Sequence, residues 1–411
     1  MKYKVNSEIG PLRFVITHTP GIEHEYVTPK NLIENNPDDY LLFDDIIQVQ
    51  KAREEHQQLY NILHYSTDGN CFEFIDLLKV VLSDSNIKNQ LIDDCINLEK
   101  ELYNNIINKT DLKILEINDL VTTLLSGYYK DKQIFNYPIP NLIFTRDIAV
   151  CIGNTILITW SKKHVRRREN ILAKHLFKNH KLFKNMEIFD FHSEFPDLTI
   201  EGGDILVFDH KRVCIGISER TPIESINKLI KLFYDENFST IIAIDLPKKR
   251  ALMHLDTIFT RINDNEVLIF PPILNDKYES RLNTVYIYKD KEINPIKLCK
   301  NIIDVLKENN LNIKYIKCGS NNPIHQEREQ WTDGANAFAI SPGKIIGYDC
   351  NKYTIKELKE AGYNEIKSSD YIENYRDYNN SKDKLIITIN GSELSRGRGG
   401  PRCLTLPIFR L

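Results

Sequence analysis

Asp147-Ile-Ala-Val-Cys-Ile-Gly-Asn-Thr-Ile-Leu-Ile-Thr159 holds two apolar β-type runs on either side of a Gly153-Asn154 turn, the pattern of a hairpin. The pattern returns three times. Asp204–Phe208 and Val213–Ile217 flank Asp209–Arg212, Thr257–Ile262 and Val267–Phe270 flank Asn263–Asn265, and Ala335–Ile340 and Ile345–Tyr348 flank Ser341–Gly343. Helix starts follow several of these hairpins. Thr221-Pro222-Ile223-Glu224 reads as a capping box with proline at the first helical position, followed by the stripe Ile226, Leu229, Ile230 and Phe233. Asn294-Pro295 is expected to open a second helix carrying Leu298, Ile302, Val305 and Leu306, and Thr354–Glu357 a third that Gly362 closes.

The unit is therefore hairpin plus helix, recurring at irregular intervals. A strand at Arg13–Thr17 lacks an upstream partner, and a strand just after Cys403 lacks a downstream one. Pairing these two closes a ring of five units, so the expected fold class is α/β, a five-bladed pseudo-symmetric propeller. Between Pro37 and Pro138 there is no proline. Apolar residues there recur at helical spacing (Leu91, Ile92, Cys95, Ile96; Leu120, Val121, Leu124, Leu125), so 71–137 reads as an inserted bundle of short helices. Residues 1–70 and 138–411 then form the α/β propeller part.

Of 411 residues, 42% are hydrophobic and 27% charged, an ordinary globular mix that argues against disorder throughout. Basic residues number 54 against 57 acidic, a net charge of −3, which speaks against a dedicated nucleic-acid or anionic-membrane binder. No apolar run reaches the ~18 residues of a membrane span, and the N-terminus has no signal-peptide core. The eight cysteines form no CxxC pair, so no zinc ribbon or thioredoxin motif is present. Most read as small buried hydrophobes in a reducing, cytoplasmic setting.

Acidic or reactive residues crowd the strand starts: Asp147, Glu201 with Asp204, His254 with Asp256, and Cys403. Rotational units would bring these together near the axis, a costly convergence of carboxylates that a cationic ligand relieves. Singly, each has a plain reading. Asp147 could be a turn residue paired with Arg146, Glu201-Gly-Gly-Asp204 a turn, and His254 a satisfied core histidine. His254-x-Asp256 lacks a third ligand at metal spacing, and Arg396-Gly-Arg-Gly-Gly is a single RGG-type copy on a neutral chain. Cys403 differs in context. It ends a glycine-rich loop with Arg398 and Arg402 beside it, and flanking arginines are expected to lower a thiol's pKa toward the nucleophilic thiolate.

Together, Asn141-x-x-Phe144-Thr-Arg-Asp147, Glu201-Gly-Gly-Asp204, Ser218-Glu-Arg220-Thr221, Met253-His254-Leu-Asp256-Thr257 and Arg396–Cys403 resemble the bacterial-type arginine deiminases. The resemblance runs from about residue 141 to the C-terminus. It implies the pentein fold, whose units are ββαβ, and hydrolysis of L-arginine to L-citrulline and ammonia without metal or organic cofactor. By the same resemblance Cys403 is the nucleophile, His254 the proton donor and later the activator of water, and Glu201 orients His254. Asp147 and Asp256 grip the guanidinium. Arg166, Arg220 and Arg398 bind the α-carboxylate, Asn141 the amino-acid end, and Phe144 lies in the substrate-binding set. Arg398, in its glycine-rich loop, is expected to act in a gate. A homo-oligomer, a dimer, is expected, with no nucleic-acid or membrane partner. Eight residues follow Cys403, little to brace the nucleophile loop. The rival readings are an amidinotransferase of the same fold, a shorter dimethylarginine hydrolase type, an inactive guanidine-binding protein and an RGG-type RNA binder.

Overall fold

The computed structural model describes residues 3–32, 41, 45–274, 284–309 and 311–411. Pro37 and the stretches 33–40 and 42–44 of the expected 1–70 segment lie outside them.

All four hairpins form where the alternating runs place them. Ala149–Ile152 pairs with Thr155–Ile158, Ile205–Asp209 with Arg212–Ile217, Phe259–Asn263 with Glu266–Ile269, and Phe338–Ser341 with Lys344–Tyr348, each antiparallel. A third strand lies parallel to the second strand of each: Glu187–Asp190, Thr240–Asp245, Lys314–Lys317 and Lys384–Ile389. Two of these sheets carry further strands, Thr284–Lys289 and Ile296–Cys299 in one and Tyr363–Lys367 in the other. Thr240–Asp245 and Lys384–Ile389 have strands on both sides, which is why they read as continuous apolar runs such as Ile241-Ile-Ala-Ile244, whereas Glu187–Asp190 and Lys314–Lys317 are edges and more polar.

A fifth sheet closes the chain on itself. Leu12–Thr17 pairs antiparallel with Leu406–Arg410, as the unpartnered strands required. Its other edge is taken by Cys71–Glu73, running parallel through Val15–Cys71 to Thr17–Glu73. The expected helical segment therefore begins at Phe74, because Cys71-Phe-Glu73 is claimed by an edge that only the folded N-terminus supplies. Helices Phe74–Leu82, Ser85–Tyr103, Lys109–Lys113 and Ile117–Ser126 follow, and a two-residue ladder, Tyr128–Tyr129 with Lys132–Gln133, ends the segment. Their apolar faces (Leu78, Ile92, Cys95, Leu124) join Leu172 and Leu176 of helix Arg167–Asn179 in the largest core cluster.

Two helix starts differ from expectation. Helix Ile223–Asp235 forms, but Pro222 is its cap residue and Thr221 makes no capping bond to it. The Thr221 hydroxyl instead accepts from Glu201 N at 3.2 Å, so a tertiary demand overrides the local one. Asn294-Pro295 opens no helix. Ile296–Cys299 is a strand, and the helix runs Ile302–Glu308 from an Asn301 cap. The third helix spans Lys352–Glu360, and Gly362 beyond it sits at φ +91°, a left-handed stop. No described helix is long and apolar enough to cross a membrane.

Candidate active site

Short turns at the heads of the hairpins deliver the polar residues inward. Asp147 lies in the turn Thr145–Ile148, Glu201 just before Gly202–Asp204, and His254 just before Leu255–Thr257. Gly203 has a local reason. A Cβ there would stand 2.5 Å from His254 Nδ1 and 3.0 Å from Asp147 Oδ1, so only glycine lets this backbone pass between them. Cys403 follows the turn Leu394–Gly397 and Arg398, which is left-handed at φ 65°. Only two residues separate Cys403 from the closing strand Leu406–Arg410, so the short tail braces the loop by strand pairing rather than by length.

His254 Nε2 lies 2.8 Å from Glu201 Oε2, and its Nδ1 lies 3.7 Å from Asp147 Oδ1. Burial works against the imidazolium, but Asp147, Glu201 and Asp204 overcome it and raise the pKa to about 9, so the ring is charged at neutral pH. Burial likewise opposes ionisation of Glu201, yet Arg220 (3.6 Å), His254 and Arg166 (3.9 Å) hold it well below the usual carboxylate range. Glu201 is thus a fixed anion behind the ring.

Arg166 faces the same cavity with its guanidinium already engaged. NH1 donates to Asp147 Oδ2 at 2.7 Å, Nε to Glu169 Oε2 at 2.9 Å and NH2 to the Asn141 carbonyl at 3.1 Å. Arg398 stacks on Trp331, its guanidinium carbon 3.8 Å from the ring centroid, and donates to the Trp331 and Ala251 carbonyls. Asn141, Phe144, Met253 and Thr257 complete the wall with Arg220. The enclosed free volume is only about 10 Å³, so an amino acid enters only when a wall moves. Two larger clefts, about 400 Å³ beside Arg13 and Tyr375 and about 160 Å³ beside Trp160 and Lys174, gather no comparable set of reactive groups.

The thiol overturns one expectation. Cys403 Sγ lies 3.6 Å from Asp256 Oδ2, and its pKa is pushed well above the ordinary thiol value, by burial first and then by Asp256, Asp147 and Asp333. Arg402 opposes this but is spent elsewhere. It donates to both oxygens of Glu8 at 3.0 Å and to Asp256 Oδ2 at 2.8 Å. Arg398 is occupied with Trp331. Flanking in sequence did not become facing in space.

Asp256 Oδ1 is buried and has no hydrogen-bond partner among the described residues, so it can accept from a donor brought beside the thiol. Of the strand-start carboxylates, Asp147 and Glu201 line the cavity, whereas Asp256 lies behind the thiol and Asp204 lies farther back. Asp204 accepts from the Ser218 hydroxyl at 2.6 Å and Leu255 N at 3.0 Å, and burial raises it to about 7. Asp147, Glu201 and His254 bring donor atoms within 4.8 Å of one another, the one such group among the described residues, but arginines and mutual hydrogen bonds already engage these atoms. Sequence reasoning missed Glu8, Glu169, Trp331 and Asn336 as parts of this neighbourhood. Asn336 alone had a signal, since it stands at the head of the fourth hairpin where the others carry aspartate.

The arrangement belongs to a recognisable class. A dimethylarginine dimethylaminohydrolase bound to S-methyl-L-thiocitrulline superposes over 96% of this chain and 99% of its own, at TM-score 0.52 and 15% identity. The amidinotransferase SxtG from Microseira wollei superposes over 100% and 98%, at TM-score 0.51 and 13% identity. The fold is thus the α/β fold of the penteins. Sequence narrows the class. A model of the arginine deiminase family matches residues 39–410. The chain is 33% identical to the arginine deiminase of Mycoplasma capricolum, covering 100% of this chain and 98% of that one. It is 37% identical to that of Borreliella burgdorferi, over 98% and 96%. The chain belongs to the arginine deiminase family.

Proposed function

We propose that this protein hydrolyses L-arginine to L-citrulline and ammonia through an amidino group carried on Cys403. The observation that supports this most is the juxtaposition of a buried thiol, a carboxylate 3.6 Å from it and, lining the same small cavity as the thiol, a charged imidazole held by a second carboxylate. The first three are Cys403, Asp256 and His254, and the last is Glu201. A guanidinium is the ligand that relieves them. It supplies donors to Asp256 and Asp147, and its charge offsets the carboxylates that keep the thiol protonated. The thiolate attacks the central carbon, and His254 protonates the departing amine, which leaves as ammonia. His254 then takes a proton from water, which attacks the amidino carbon and releases citrulline and the thiol. Glu201 fixes the ring, while Arg166, Arg220, Arg398 and Asn141 hold the amino-acid end, with Phe144 against the chain. Arg166 serves there by redirecting donors now on its neighbours.

The five sheets of common plan are blades of a ring, and the helices within 71–137 are an insertion into it. The working form is a homodimer in the cytoplasm, without nucleic-acid or membrane partners. The deciding assay is equimolar citrulline and ammonia from L-arginine without metal or acceptor amine. Citrulline only in the presence of an amine would instead indicate amidino transfer.

Arg398 leaves Trp331 when it closes on substrate. Trp331→Ala removes a stacking contact of about 0.5–2 kcal/mol from the resting state, so KM for arginine should fall several-fold with kcat little changed. An unchanged or raised KM in steady-state kinetics would separate Arg398 from substrate entry.

A further inference from the structure

The strand-start residues stitch the hairpin heads together. Asp147 Oδ1 accepts from Gly203 N at 3.1 Å, at the head of the next hairpin, and Asp204 Oδ1 accepts from Leu255 N at 3.0 Å, at the head of the one after. Asn336 makes the corresponding bond onward to the nucleophile turn. Its Oδ1 accepts from Arg402 N at 3.0 Å and from Cys403 N at 3.2 Å. Asp256 breaks the series. Its carboxylate turns to Arg402 and the thiol, and the link to the fourth head runs the other way, Asn336 Nδ2 donating to the Asp256 carbonyl at 3.0 Å. One buried carboxamide thereby holds both the nucleophile's backbone and the backbone of Asp256, whose carboxylate lies beside the thiol. Gly400 permits this, since a Cβ there would stand 2.7 Å from Asn336 Cβ and Oδ1.

Where the first two stitches are carboxylates, this one is neutral. The charged groups acting most on the thiol are Asp256 and Asp147 from the neighbouring heads, Asp333 from the turn after helix Pro323–Trp331, and Arg402 from its own turn, while the cations His254, Arg166, Arg220 and Arg398 and the anion Glu201 line the same cavity. Three of the groups acting most on it are anionic, and an aspartate at 336 would add a fourth.

We infer that Asn336 is the positioning residue for the nucleophile, its oxygen holding the Arg402–Cys403 backbone and its neutrality sparing the thiol a further negative charge. This rests on the proposed role of Cys403. Asn336→Ala keeps the charge balance and removes the anchor. Its kcat should fall about 100-fold, as a small misplacement of a reacting group does, with KM within about threefold and the pH midpoint for alkylation of Cys403 little changed. Asn336→Asp keeps the acceptor and adds charge. Its alkylation midpoint should rise by about one pH unit or more, and its activity should recover in part as pH rises.

The measurements are arginine turnover and iodoacetamide labelling against pH, read by mass on the Cys403 peptide, with thermal melting as the folding control. A folded Asn336→Ala within threefold of wild-type kcat overturns the positioning role, and an unmoved midpoint in folded Asn336→Asp overturns the charge argument. If Asn336→Asp does not fold, having lost its donor to Asp256, Asn336→Ala still decides the positioning role, and the charge argument fails with the variant. Failure of the underlying reading is distinct, because wild type would then release no citrulline while the labelling curves still report the thiol.

Discussion

Cys403→Ser is expected to abolish citrulline release, with kcat reduced by at least about 10⁴-fold, as loss of a nucleophile does elsewhere. The residue is buried beside Asp256, and serine fits the same space, so stability should stay within about 1 kcal/mol of wild type. Binding of arginine should survive, because the carboxylates that receive the guanidinium are untouched. The hydroxyl fails for an electrostatic reason. A serine needs a base to take its proton, and the nearby imidazole is already protonated and held by Glu201. A thiol needs only enough relief from the surrounding anions to ionise, and the substrate's cation brings that relief. Acid-quenched wild type incubated with guanidino-labelled arginine should carry label on the Cys403 peptide, and the variant none. Residual turnover above about 1% of wild type would move the nucleophile to another group.

His254→Gln should lose about 10²–10⁴-fold in kcat, the usual span for a positioned acid–base group. Glutamine can still donate to Glu201, so the comparison isolates proton transfer from packing. The pH dependence has a definite sign. With the folded-state value raised from 6.5 to about 9, activity that needs the imidazolium declines as pH rises through the upper value. Bound arginine adds a cation among the same carboxylates and draws that limb downward. The stability linked to this ring is fully present below about pH 6.5 and lost as pH rises through about 9. Melting temperature should therefore fall more between pH 7 and 9.5 in wild type than in His254→Gln. Parallel melting curves would show that His254 is not the group titrating.

The hairpins were legible because each is local: two apolar runs and a turn contain all the information, as at Ala149–Ile158. The clasp of Leu12–Thr17 with Leu406–Arg410 was legible by elimination, two strands each lacking a neighbour. Cys71–Glu73 was not, because three residues beside a helix become a strand only when a remote edge receives them. Thr221 and Asn294-Pro295 mimic helix starts, and tertiary bonds or sheet pairing outweighed the local signals. The motifs named residues that the structure brings round one cavity, among them Asp147, Glu201, His254 and Cys403, but the electrostatics there could not be read from them. Arg402 stands beside Cys403 in the chain, yet its charge goes to Glu8 and Asp256, and no spacing rule reveals a partner such as Glu8 at the opposite end of the chain.

That opposite end carries a consequence for synthesis. Glu8, which holds Arg402, and the strand that receives the tail are made before the groups of the cavity, whereas the thiol and its closing strand are made after them. A chain stopped short of Cys403 carries the carboxylates and the imidazole but has no thiol to react, and it also lacks the strand that clasps Leu12–Thr17. The nucleophile and the strand that closes the fifth sheet thus arrive together.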